Sequence, residues 1–211
     1  MTAPDHAERA QWEFRQTRLA YRLLCAEART QTICRFTSLS VHRLAKWRKR
    51  WGFHETERSR GPTPASFTSF FRIPALRAEG AYLAVLCDAF GLLRSTGSAA
   101  SSFYTLATGE RLCDLYEFHR SSCPTASIAF DQLVLLARGL KSGTSITRGR
   151  CDACGGVLLR DPLEPARPAC DACRQARRSR PHKTLDSGGT RTTPNSGSSK
   201  PSATRHTARA G

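Results

Sequence analysis

Cys151-Asp152-Ala153-Cys154-Gly155-Gly156, followed after residues 157–169 by Cys170-Asp171-Ala172-Cys173, is the stretch on which the organisation of the chain turns. It reads C-x2-C, fifteen intervening residues, C-x2-C, a spacing typical of structural zinc sites. Two residues between thiolates let a tight turn bring both sulfurs to about 2.3 Å from one ion, and the glycines after Cys154 permit the backbone of such a knuckle. Four thiolates fill a tetrahedral shell and leave no open position for a catalytic water, so the expected cofactor is one structural zinc ion per chain held by Cys151, Cys154, Cys170 and Cys173. Sets of four cysteines also hold iron–sulfur clusters, and four plain or disulfide-bonded thiols are the simplest alternative.

The other five cysteines, Cys25, Cys34, Cys87, Cys113 and Cys123, lie in or beside apolar stretches and are expected to be buried as small hydrophobes. An odd total of nine argues against a disulfide framework. The opening residues Met1-Thr2-Ala3-Pro4-Asp5-His6-Ala7-Glu8 lack a basic segment followed by an apolar run, and the apolar stretch 82–93 is broken by Asp88. No signal peptide and no membrane span are expected, and the expected location is the cytoplasm.

A zinc deaminase would carry Pro-Cys-x-x-Cys, but Ala169 separates Pro168 from Cys170 and no His-x-Glu precedes the pairs. His42, His54 and His119 sit in no arrangement with carboxylates or serines that would suggest catalysis, so no enzyme is expected.

Upstream of the cysteines the apolar pattern is helical. Trp12, Leu19, Ala20, Leu23 and Leu24 recur at helical spacing over about 6–30, with charges on the other faces. A short helix over about 30–36, a turn at Thr37-Ser38-Leu39-Ser40 with Ser40 as N-cap, and a helix over about 41–51 stopped by Gly52 follow. Residues 53–74 read as a loop pinned by Phe67, Phe70 and Phe71, and three more helices are expected over about 74–94, 100–119 and 124–140. The first of these is apolar around nearly its whole circumference and must bury itself in the core or against a partner. From Arg174 onward Ser, Thr, Gly, Pro and Arg dominate and order is not expected.

The formal net charge is +16, and half of that excess lies in residues 174–211, which carry nine Lys and Arg against the single acid Asp186. The remaining body is therefore basic too, which favours nucleic acid over an anionic membrane as partner. Residues 31–60 hold eight Lys and Arg against Glu55 and Glu57. On a helical wheel Val41, Leu44 and Ala45 share one side, with Trp51 at its border. His42, Arg43, Lys46, Lys49 and Arg50 fall on the other, and Arg48 must snorkel from the apolar side. A short helix, a turn and a helix with a basic outer face outline a helix-turn-helix whose second helix enters the major groove, although the same charges would also suit a solvated face.

The expected fold class is thus mainly α. A helical body over 1–145, with a helix-turn-helix-like part at about 30–52, is followed by a four-cysteine module over 146–178 and a disordered basic tail over 179–211.

Several segments resemble FlhC, the flagellar transcriptional activator subunit. Ala89-Phe90-Gly91-Leu92-Leu93-Arg94-Ser95-Thr96-Gly97 is similar to that family's helix before a Thr-Gly turn. Leu133-Val134-Leu135-Leu136-Ala137-Arg138-Gly139-Leu140, leading into the paired cysteines, resembles its zinc module, and Thr37-Ser38-Leu39-Ser40-Val41-His42-Arg43-Leu44 its front half. The match spans about residues 7–175 and departs from the family at the Arg-rich segment 46–50 and in the long tail. The resemblance implies a hetero-oligomer, a heterohexamer, with an FlhD-like subunit that binds flagellar promoter DNA and recruits RNA polymerase. The competing reading is a zinc-stabilised RNA- or protein-binding module unrelated to flagella.

Overall fold

A computed structural model describes residues 6–53, 64–94, 102–165 and 168–179. Helices dominate: α1 (His6–Cys25), α2 (Thr30–Thr37), α3 (Val41–Arg50), α4 (Thr68–Arg72), α5 (Pro74–Ala89), α6 (Leu106–Ser122) and α7 (Phe130–Ser142) precede an antiparallel hairpin of β1 (Thr147–Arg150) and β2 (Val157–Arg160), and α8 (Asp171–Arg178) closes the described chain. The hairpin register pairs Thr147 with Arg160 and Arg150 with Val157.

The core forms where α1, α2, α5, α6 and α7 face one another, around Leu19, Leu23, Ile33, Phe36, Leu83, Leu112, Leu115, Leu133 and Leu136, all essentially inaccessible. Burying side chains of this size contributes roughly 1.5–3 kcal/mol each. Gln16 of α1 donates from Nε2 to the carbonyl of Thr37, fastening the end of α2 to α1. Phe70 of α4 is fully buried, so the segment read as an aromatic-pinned loop contains a helical turn seated by that ring. Residues 54–63 of that segment lie outside the described residues.

Helix ends depart from the sequence reading in ways that backbone geometry explains. α1 stops at Cys25 rather than near residue 30, because Glu27 takes a left-handed conformation (φ 56°) while Ala28 N–H donates to Leu23 O and Glu27 N–H to Leu24 O. That is a Schellman closure with glutamate where glycine is usual, so no punctuating residue announced it. α5 ends at Ala89 through the same closure at Gly91, where Leu92 N–H reaches Cys87 O and Gly91 N–H reaches Asp88 O. α6 starts later than expected, at Leu106, where the Thr105 side chain accepts from Thr108 N–H. α7 begins at Phe130 instead of near Pro124, because Gln132 Oε1 reaches back to the N–H of Ala129.

Four further expectations are corrected, three by burial and one by order. Residues 6–15 of α1 are all exposed, Trp12 included at 45%, and Arg15 of that stretch pairs with Glu110 of α6 at the surface. α5 is one-sided: Leu83, Leu86 and Cys87 are buried, but Tyr82 and Val85 remain accessible. Cys87 and Cys113 are buried as expected, Cys34 and Cys123 partly so, and Cys25 is exposed. Residues 174–178, expected to be without order, complete α8. The tail from residue 180 lies outside the described residues. Among the described residues no helix is long and apolar enough to cross a membrane.

Candidate metal centre and basic helix

Strand β1 delivers Cys151 into a knuckle closed by two backbone bonds of 2.8 Å, Cys151 N–H to Gly156 O and Gly155 N–H to Cys151 O. Gly155 sits at φ +71°, a conformation side chains with a Cβ rarely adopt, which is why glycine follows the second cysteine. The second knuckle is clipped to the first by Asp152 N–H donating to Pro168 O at 2.8 Å. Cys170 then becomes the N-cap of α8, its Sγ accepting from Cys173 N–H at 3.4 Å, while its own N–H donates to Cys151 Sγ at 3.3 Å.

These contacts converge the four sulfurs of Cys151, Cys154, Cys170 and Cys173 to within 4.8 Å of one another, and Cys154 and Cys170 stand 3.9 Å apart. A tetrahedral ion with sulfur bonds of about 2.3 Å needs sulfurs about 3.8 Å apart, so the four residues lie close enough to hold a metal ion. Donation from the Cys170 N–H draws the Cys151 thiol down to about 6, whereas hydrogen bonding with Cys170 and Cys154 pushes Cys173 up to about 12. The cluster thus stabilises one negative charge and resists further ones until a cation neutralises them.

The module is seated on the helical body. Leu159 of β2 belongs to the main core, and a Cβ on Gly80 of α5 would lie 2.8 Å from its Cδ1, so any larger residue there would push the Leu159 side chain aside. Arg77 of α5 holds both carboxylate oxygens of Asp171 at 3.0 and 2.8 Å, in the first turn of α8. Burial raises the Asp171 carboxyl, but Arg174 and Arg77 outweigh it and leave it below the usual carboxylate range. A cavity of about 530 Å³ remains between α5 and the module, lined by Tyr82, Val85, Val157 and Leu158 and reaching Cys170.

At the other candidate site, α2 and α3 are joined by Ser38-Leu39-Ser40. Ser40 caps α3 by accepting from Arg43 N–H at 3.2 Å, and Leu39 is buried. His42, Arg43, Lys46, Lys49 and Arg50 are all exposed on α3. The inward face differs from the expected one: it is built by Leu44, Arg48, Trp47 and Trp51, while Val41 and Ala45 are exposed. The i, i+3, i+4, i+7 set starting at Leu44 is longer than the Val41, Leu44, Ala45 cluster, and the tryptophans offer more area to bury. Trp51 meets Tyr21 edge-on at 5.5 Å, and Arg43 lies over the Trp47 ring at 5.1 Å.

Three polar residues that position these parts carried no local signal. Asp131 of α7 accepts from Arg29 N–H at 3.1 Å and from Thr32 Oγ1, capping α2 from another helix. Arg77 meets Asp171 across ninety-four positions. His119, fully buried on α6, places Nε2 3.4 Å from Glu79 Oε1, and Glu79 accepts from the N–H groups of Ser127 and Ile128. Each partnership joins residues far apart in sequence, beyond the reach of motif or periodicity. No protein-family model matches the chain, and no curated protein matches it.

Proposed function

We propose that the chain is a DNA-binding transcription activator subunit of the FlhC type, acting with an FlhD-like subunit at flagellar promoters and recruiting RNA polymerase. The observation that carries this reading is α3. It follows a short helix and a three-residue turn, and it presents His42, Arg43, Lys46, Lys49 and Arg50 outward while Leu44 and Arg48 face the body. A helix held in this way can lie in a major groove, where Lys and Arg meet phosphates or guanine edges. The metal is zinc: four thiolates in a tetrahedral cage suit it, and a closed shell makes it a staple with no position for substrate.

The test is co-expression with an FlhD-like subunit, followed by titration of flagellar promoter duplex, scrambled duplex and RNA at several salt concentrations. The expected result is duplex binding that Arg43→Ala with Lys46→Ala weakens, while thermal unfolding and metal content stay near the parent, since exposed substitutions cost within about 0.5 kcal/mol. Each lost phosphate contact should also lower the slope of log affinity against log salt by about one. Unchanged duplex binding by the double variant would remove α3 as the reading helix, and a preference for RNA would favour the competing module. Elemental analysis finding iron with sulfide in place of zinc would overturn the metal assignment.

A further inference from the structure

The four cysteines differ in what solvent can reach. Cys154 stands exposed on its knuckle, Cys151 is buried, and Cys170 and Cys173 are partly covered. The sulfur 3.9 Å from Cys154 is that of Cys170, the same atom that caps α8. A cysteine that ligates a metal is a thiolate, and thiolates that solvent reaches are where peroxides react first. Cys87 and Cys113, by contrast, are buried thiols pushed up to about 12 by desolvation.

We infer that Cys154 is an oxidation site, and that hydroperoxides convert Cys154 and Cys170 to a disulfide with release of the metal. This rests on the metal-centre reading above. The Cys154 thiolate attacks one peroxide oxygen, the O–O bond breaks, and hydroxide or alkoxide leaves, giving a sulfenic acid. The Cys170 thiolate then attacks that sulfur, the S–S bond forms and hydroxide departs. Two thiolates lose two electrons and the peroxide gains both. Cys151 and Cys173 alone cannot complete the tetrahedron, so the dication leaves.

The sulfurs must close from 3.9 Å to about 2.05 Å, and α8 can follow because it buries none of its residues. The same fact gives the consequence. A helix of eight residues does not hold by itself in water, and α8 is fastened through Cys170, Cys173 and the Asp171 to Arg77 pair in its first turn. Metal loss frees Cys173 and leaves α8 tied through the Cys154–Cys170 disulfide and the Asp171 to Arg77 pair alone, so Arg174, Arg177 and Arg178 are held less firmly on a fixed helix.

The experiment uses the full chain loaded with zinc and treated with hydrogen peroxide. Metal release is followed by a chromogenic chelator, linkages by peptide mass spectrometry without reduction, and α8 by tryptic cleavage at Arg174, Arg177 and Arg178. Expected are loss of the one bound zinc, a peptide linking Cys154 to Cys170, faster cleavage in α8, and reversal by a thiol reductant with added zinc. Cys154→His supplies a nitrogen ligand without the oxidisable sulfur and should hold its zinc at the same peroxide dose. If that variant loads no zinc, the linkage map of the unsubstituted chain decides. Zinc retained through oxidation, or a first linkage that omits Cys154, overturns the inference. Metal content measured beforehand separates the two readings: a chain that binds no zinc fails the metal-centre reading itself, and a loaded chain that keeps zinc under peroxide fails this inference alone.

Discussion

Ser38 carries the conformational cost of the turn between α2 and α3. It is exposed, sits at φ 55°, and occupies the position where a helix usually ends on glycine. The left-handed conformation costs a residue with a Cβ roughly 1–2 kcal/mol, and glycine returns part of that gain as entropy of the unfolded chain. Ser38→Gly is therefore expected to stabilise the protein by about 0.5 kcal/mol, read as a rise in the denaturant midpoint at constant m-value. His119 makes the opposite kind of demand. Burial lowers its pKa against the pull of Glu79, so the folded state prefers neutral imidazole. As pH falls, the unfolded chain takes up the proton first. Stability is thus complete above the ordinary histidine value of about 6.5 and is lost below it, by at most about 1.4 kcal/mol per pH unit. Comparing the unsubstituted chain with His119→Gln by denaturant unfolding at pH 7.5 and 5.5 isolates this group from every other titrating group. An equal loss in both would show that His119 titrates alike in the folded and unfolded chains.

Helix α2 depends on a helix a hundred residues away. Its own N-cap residue, Arg29, makes no side-chain cap, and the buried carboxylate of Asp131 on α7 takes that part. Asp131→Ala removes the acceptor and leaves Arg29 N–H and Thr32 Oγ1 without it, at a cost of about 1–3 kcal/mol. Asp131→Asn, which keeps one oxygen, should lose less. Because α2 precedes the turn to α3, hydrogen exchange in α2 should quicken more than in α5, and uniform quickening would mean that Asp131 supports the whole core equally. α8 shows the contrary arrangement, an element with no buried residue that, among the described residues, is fixed at its first turn. Cys170→Ser or Cys151→Ser is expected to release the metal and to open residues 151–173 to proteolysis, since ligation supplies the folding free energy of such modules. A variant that kept its metal would refute this.

Across the whole molecule, charge is spread over two parts of different character. The excess in residues 1–173 includes α3, which holds Arg43, Lys46, Lys49 and Arg50 outward, whereas residues 180–211 carry Lys and Arg at wide spacing among Ser, Thr, Gly and Pro. Cations in the second setting act on phosphates through counterion release, without regard to sequence. Removing residues 180–211 should leave unfolding and metal content unchanged. On the proposed DNA-binding reading, affinity for promoter and scrambled duplex should fall alike, with a shallower salt slope. Loss of promoter preference on truncation would assign a reading role to the tail.

The helical character of the body, the position of α3 and the two cysteine pairs that come close enough to hold a metal ion were legible in the sequence, because each helix and each pair depends on residues within one or two turns of one another. Apolar periodicity marks a helix, Gly52 stops α3, and C-x2-C brings two sulfurs together through a local turn. The ends of α1 and α7 were not legible: Glu27 performs a glycine's part, and Gln132 captures Ala129 downstream of a more conspicuous Pro124. Tertiary structure alone decided that Leu44, Trp47, Arg48 and Trp51 form the inner face of α3, that Asp131 caps α2, and that Arg77, Gly80 and Leu159 seat the cysteine module on α5. These choices depend on which surfaces the packed helices leave available and on polar groups that must find partners once water is excluded, and neither is written within any one segment.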